Sequence, residues 1–156
     1  MKKLLGLVMV LGLVLVLGRV AMAADTNTVT VTANVLGTCR FASPTSTLAF
    51  GALDPGSGNP VNAATTTTFW CTSGTLYTIA DNDGLHELVA DQNRMRHATD
   101  LAQFIPYTFS YNPAGGSGSG PGTPITLNIS GAVAFASYQN ALPGDYSDTV
   151  VLSITP

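Results

Sequence analysis

Lysine is absent from the sequence after Lys3, and glutamate occurs once, at Glu87. Residues 24–156 therefore lack two of the residue types that most favour surface helices, and their abundance of Thr, Ser, Gly, Val and Ala favours strands and turns instead. Cations of any kind are scarce. Beyond residue 23 only Arg40, Arg94 and Arg96 stand against nine acidic residues, a net charge of 3 − 9 = −6. So acidic a surface excludes a nucleic-acid partner of the usual electrostatic kind.

The residues that carry chemistry are equally thin. Cys39 and Cys71 are the only cysteines, with no CxxC spacing, which excludes the common redox motif and a thiolate metal set. His86 and His97 are the only histidines, and neither has a second His or Cys at ligand spacing. Residues 81–84, DNDG, lack the first acid and the closing Glu of a calcium loop. The Gly-rich run 115–122 matches no phosphate-binding pattern, and no serine lies in G-x-S-x-G. Asn128-Ile129-Ser130 is a formal glycosylation sequon placed inside an expected strand. These absences predict a protein that is not an enzyme and takes no cofactor and no metal.

What is present begins with residues 1–23. Lys2 and Lys3 precede an apolar run, and Ala21-Met22-Ala23 supplies the small-x-small pattern of a signal-peptidase site, so a secretory signal peptide cleaved after Ala23 is expected. The competing reading is a membrane anchor bounded by Arg19. Export would bring Cys39 and Cys71 into an oxidising environment that joins them. A bridge closing ~33 residues removes denatured-state entropy worth roughly 3.7 kcal/mol in the chain-entropy model. Trp70, beside Cys71, is expected to pack in the core against that bridge, with a sugar-stacking platform as the functional alternative.

The next stretch, residues 26–36, reads TNTVTVTANVL. Val29, Val31, Ala33 and Val35 alternate with Thr28, Thr30, Thr32 and Asn34, a strand with one apolar face. Lying close to the new N-terminus, it pairs either with its own sheet or with another molecule's. Further short runs follow at 47–51, 65–71 and 76–80, with a hairpin or bend at Ser73-Gly74 and a turn at 82–84. Residues 85–102 follow no clear period. Ile105, Tyr107, Phe109 and Tyr111 alternate, with Pro106 marking an edge or a strand start, and 112–124 reads as a flexible loop. Ile125, Leu127, Ile129, Val133 and Phe135 share one parity, as one bent strand or two, and Tyr146, Val150, Leu152 and Ile154 form a closing strand. About seven alternating strands with Gly/Pro turns predict one antiparallel, immunoglobulin-like β-sandwich.

The order of these signals resembles the spore coat protein U domain, the subunit type of archaic chaperone–usher pili. The residues that carry the resemblance are Cys39-x-Phe41, Leu48-x-Phe50-Gly51 with Asp54-Pro55, Cys71-Thr72-x-Gly74 with Tyr77-x-Ile79, Arg94-Met95, Ile105–Tyr107, Gly131, Gln139 and the closing Pro143-Gly144-x-Tyr146-Ser147-Asp148-Thr149-Val150. The chain departs from the family at Pro113-Ala114-Gly115-Gly116, where a Trp-Gly pair is common, and at Thr155-Pro156, where an aromatic is common. The resemblance implies a sandwich lacking its last strand, held by a periplasmic chaperone, delivered to an outer-membrane usher and completed by the N-terminal strand of the neighbouring subunit. On that reading residues 24–36 are the donor-strand segment, with Val29, Val31, Ala33 and Val35 as its inserted side chains, and 37–156 are the pilin domain. Val150, Leu152 and Ile154 would line the acceptor groove. The implied destination is the periplasm and then a surface fimbrium serving adhesion and biofilm formation, with no membrane contact after signal cleavage. A secreted coat or adhesive binding domain that does not polymerise is the alternative.

Overall fold

Half-buried Val61, Ala63, Thr65 and Thr67 alternate with exposed Asn62, Ala64 and Thr66 along β2 (Val61–Cys71), the spine of the computed structural model, which describes residues 24–90 and 92–156. The expected signal peptide, residues 1–23, lies outside the described residues. β-Branched residues on a pleated backbone explain the length of β2, and its last inward positions, Phe69 and Cys71, are fully buried. Antiparallel to it run β1 (Cys39–Phe41) on one side and β8 (Ile125–Val133) on the other, and β6 (Thr108–Asn112) completes the sheet. Among the described residues, no helix is long and apolar enough to cross a membrane.

Two smaller antiparallel sheets complete the architecture. One has the order β10 (Leu152–Thr155), β3 (Leu76–Asp81), β7 (Gly115–Ser117). The other has the order β5 (Phe104–Pro106), β4 (Arg94–His97), β9 (Tyr146–Ser147). Phe69, Cys71, Leu127 and Ile129 of the large sheet pack against Tyr77 and Ile79 of the first small sheet. Ile105 and Tyr107 meet Val133 and Tyr138 in a second cluster. The described residues are thus all-β and antiparallel apart from one short helix, α1 (Phe135–Tyr138).

Several local expectations change. The Gly-rich loop contains a strand, because Gly115 and Gly116 lie against Tyr77 so closely that added Cβ atoms would meet its carbonyl oxygen at 3.1 Å and its hydroxyl at 2.8 Å. β8 is one strand carried through Gly131, where a Cβ would meet the Thr108 carbonyl oxygen at 2.7 Å, and Phe135 belongs to α1 instead of the strand. Ser73-Gly74 is a bend between sheets, since β2 and β3 lie in different ones. Trp70 does not join the disulfide in the core. Its parity, opposite to that of Phe69 and Cys71, turns it to the outer face of β2, paired with Arg40. Residues 47–51 form no ladder, and the closing run is interrupted between β9 and β10.

Backbone contacts divide the chain between Asn34 and Val35. Residues 24–34 belong to no helix or strand and are exposed, and Val35–Pro156 form the body just described.

Candidate strand-binding groove

The interrupted stretches turn out to border one feature. A groove of about 570 Å³ in the body is walled by Phe41, Leu48, Phe50, Phe109, Ile129 and Leu152. One rim is residues 43–50 and the other residues 147–152. Both alternate in burial, with Leu48 and Phe50 half-buried beside exposed Thr47 and Ala49, and Asp148, Val150 and Leu152 half-buried beside exposed Thr149 and Val151. Residues 47–50 and 148–151 are strands in side-chain pattern without being strands in hydrogen bonding.

The first rim is nearly free of backbone partners. Ser43 Oγ donates to the Thr45 carbonyl oxygen at 2.8 Å, and residues 46–53 form no backbone–backbone hydrogen bond among the described residues. Beyond the second rim, β10 has β3 as a neighbour on one side only. Unpaired N–H and C=O groups beside an apolar floor are the arrangement that an added strand completes, its backbone supplying the ladder and its alternate side chains the packing.

The second rim is tied down by a turn. The Val151 N–H donates to Asn82 Oδ1 at 2.8 Å, and the Leu85 N–H is shared between the Thr149 carbonyl oxygen and Asp148 Oδ1, each at 3.0 Å. The Tyr107 hydroxyl donates to Asp148 Oδ2 at 2.7 Å. Burial and that hydrogen bond push the Tyr107 phenol well above its ordinary range, so it remains an O–H donor. Gly84 is buried at φ +90°, and the Asp148 carboxylate occupies the place a Cβ would take.

The sequence-derived site residues fall as follows. Cys39 and Cys71 are joined, facing each other across β1 and β2. Val150 and Leu152 line the groove, whereas Ile154 lies farther along β10, paired with Ile79 and packed on the core. Val29, Val31 and Val35 are exposed at 74%, 87% and 80%, and Ala33 is exposed as well. His97 is structural: its Nδ1 accepts the Thr99 and Asp100 N–H groups at 3.2 and 2.9 Å, which leaves the proton on Nε2 to donate to the Pro143 carbonyl oxygen. Among the described residues no three His, Cys, Asp or Glu side chains cluster as metal ligands.

Sequence reasoning placed Asn82 and Gly84 in a turn and Asp148 in a motif without seeing that they meet. A signal for Asp148 existed. It shares the inward parity of Tyr146, Val150 and Leu152, where a carboxylate demands partners.

Residues 25–153 match the family model described as the Spore Coat Protein U domain. No curated protein matches the sequence. Among solved structures, one similar chain comes from a chaperone–tip adhesion subunit pre-assembly complex of the archaic chaperone-usher Csu pili of Acinetobacter baumannii. It is 19% identical with a TM-score of 0.49, over 77% of this chain and 40% of that one. Another comes from a chaperone–tip adhesin complex described as vital for activation of CFA/I fimbriae biogenesis, at 11% identity and TM-score 0.48, over 77% of this chain and 41% of that one. The chain spans about two fifths of the length of these solved chains.

Proposed function

The chain belongs to the Spore Coat Protein U domain family, and from that premise we propose that it is a structural subunit, a pilin, of a chaperone–usher surface fibre. Subunits join by donor-strand exchange: residues 24–36 of one enter the groove of the next, and the body that follows is the pilin domain. A periplasmic chaperone holds the groove first and an outer-membrane usher exports the assembled fibre, which serves adhesion and biofilm formation. The subunit carries no enzymatic activity.

The observation that carries this reading is the groove between two rims that form no ladder with each other, one of them running into the edge strand β10. The occupant is argued from pattern. Val29, Val31, Ala33 and Val35 recur every second residue, so at roughly 3.4 Å per residue they present four side chains to one face over about 20 Å. Their exposure means that they carry no part of a buried core. Asp25 is the only charged residue between 24 and 39, so the apolar face enters without burying an ion.

The test is Val31→Asp in the full chain expressed with its chaperone and usher. Subunits accumulate at normal levels with unchanged melting, and fibres disappear, because the added carboxylate is solvated until the moment of insertion. Loss of the subunit together with the fibre would make residues 24–36 a part of the domain's own sheet and overturn donor-strand exchange at this site. Intact fibres would overturn it equally.

A further inference from the structure

The two rims differ in a way that bears on how a strand is captured, and the inference rests on the donor-strand reading above. An extended segment without a ladder neighbour has no reason of its own to stay extended, since its N–H and C=O groups are as well served by water in many conformations. Residues 148–151 are nevertheless held. Asn82 Oδ1 accepts from two backbone groups at once, the Gly84 N–H at 3.2 Å within its own turn and the Val151 N–H at 2.8 Å across the gap. The Asp148 carboxylate takes the Leu85 N–H and the Tyr107 hydroxyl, and it fits only because residue 84 has no side chain. Asn93 closes the turn from behind, its Nδ2 donating to the Asp83 carbonyl oxygen at 2.6 Å.

We infer that Asn82 and Asp148, seated on Gly84, are positioning residues for strand capture: they hold the 148–151 rim extended before any strand adds to it. The bonds from the turn go to Thr149 and Val151. In an extended chain alternate residues direct their backbone groups to opposite edges, so the groups of Val150 remain free for the incoming strand. The turn stands in for a neighbouring strand on one edge and leaves the other open. Pre-organisation of this kind raises apparent affinity by raising the fraction of molecules competent to bind.

The experiment uses the full chain carrying Val31→Asp, which disables its own donor strand, and a fluorescent peptide of residues 25–36 as the probe. Adding Asn82→Ala weakens apparent peptide affinity about tenfold, as expected if the rim is extended in one molecule in ten. Protection of the Val151 amide from hydrogen exchange is lost while the melting midpoint of the body is nearly retained. Asn82→Asp, which keeps the acceptor oxygen, restores binding at high salt, where its added charge is screened. Gly84→Ala, which evicts the Asp148 carboxylate, gives the same loss independently. Equal peptide affinity in the parent, Asn82→Ala and Gly84→Ala chains would overturn the positioning role while leaving strand exchange intact. Lower melting with unchanged affinity would make the turn merely structural and overturn it too. A parent chain that does not bind the peptide at all would overturn strand exchange, and the inference with it.

Discussion

The two rims of the groove look alike in side-chain pattern and are held in opposite ways. Residues 43–50 hang from β1, which is fastened to β2 by the Cys39–Cys71 disulfide, and beyond Thr45 they depend on Leu48 and Phe50 packing inward. Residues 148–151 are gripped by backbone and side-chain hydrogen bonds from the 82–85 turn. An apolar anchor fixes which way a segment faces but leaves its N–H and C=O groups uncommitted, whereas a hydrogen-bonded turn commits one edge of the backbone and so orients the other. The difference teaches that an incomplete sheet can keep its opening in shape without a neighbouring strand, provided that one rim is defined by polar contacts.

The most severe way to break the comparison is Leu152→Asp, which puts a carboxylate into the groove wall and against the core cluster at once. A loss of about 4 kcal/mol or more is expected, enough to prevent the folded chain from accumulating. Quantifying the chain on immunoblots checks it, and normal accumulation would mean that this rim is peripheral to the fold.

Replacing both Cys39 and Cys71 by Ser is expected to cost about 2–4 kcal/mol in chemical denaturation. It also sharpens the contrast, because β1 is the root of the first rim alone. Hydrogen exchange should rise sooner over residues 39–42, the hydrogen-bonded root of the first rim, than over 148–151. Equal loosening of both would show that the rims are not held independently.

The smallest effect is read at alkaline pH. An unfolded tyrosine titrates near pH 10, and Tyr107 in the fold titrates higher because of its burial and its bond to Asp148. Above pH 10 the unfolded chain therefore binds fewer protons at this residue than the folded one, so its contribution is whole below that pH and declines as pH rises past it. Tyr107→Phe should make the alkaline decline of the melting temperature shallower. Some decline remains, since burial and the nearby charge of Asp81 raise Tyr111 as well. An unchanged decline would mean that the second rim does not depend on the phenol.

Period-two alternation, the two lone cysteines and the Gly/Pro turns were sufficient to read from the residues an all-β antiparallel body, the disulfide and the inward residues Leu127, Ile129 and Leu152. Each is a matter of local parity or of simple pairing in an oxidising compartment, and a linear text records both. The expectations that failed rested on adjacency or composition and not on parity. Trp70 was assigned to the core for its proximity to Cys71, although adjacent residues on a strand face opposite ways. The 115–117 strand was hidden because glycine there reports close contact with Tyr77 rather than flexibility.

Only the tertiary structure brought residues 82–85 to Asp148 and Tyr107, or set residues 43–50 opposite 147–152 across an open groove. The physical reason is separation along the chain. Alternation tells which face a side chain takes, but hydrogen bonds between residues 63 or 69 positions apart depend on how the sheets stack, and no local pattern encodes that distance.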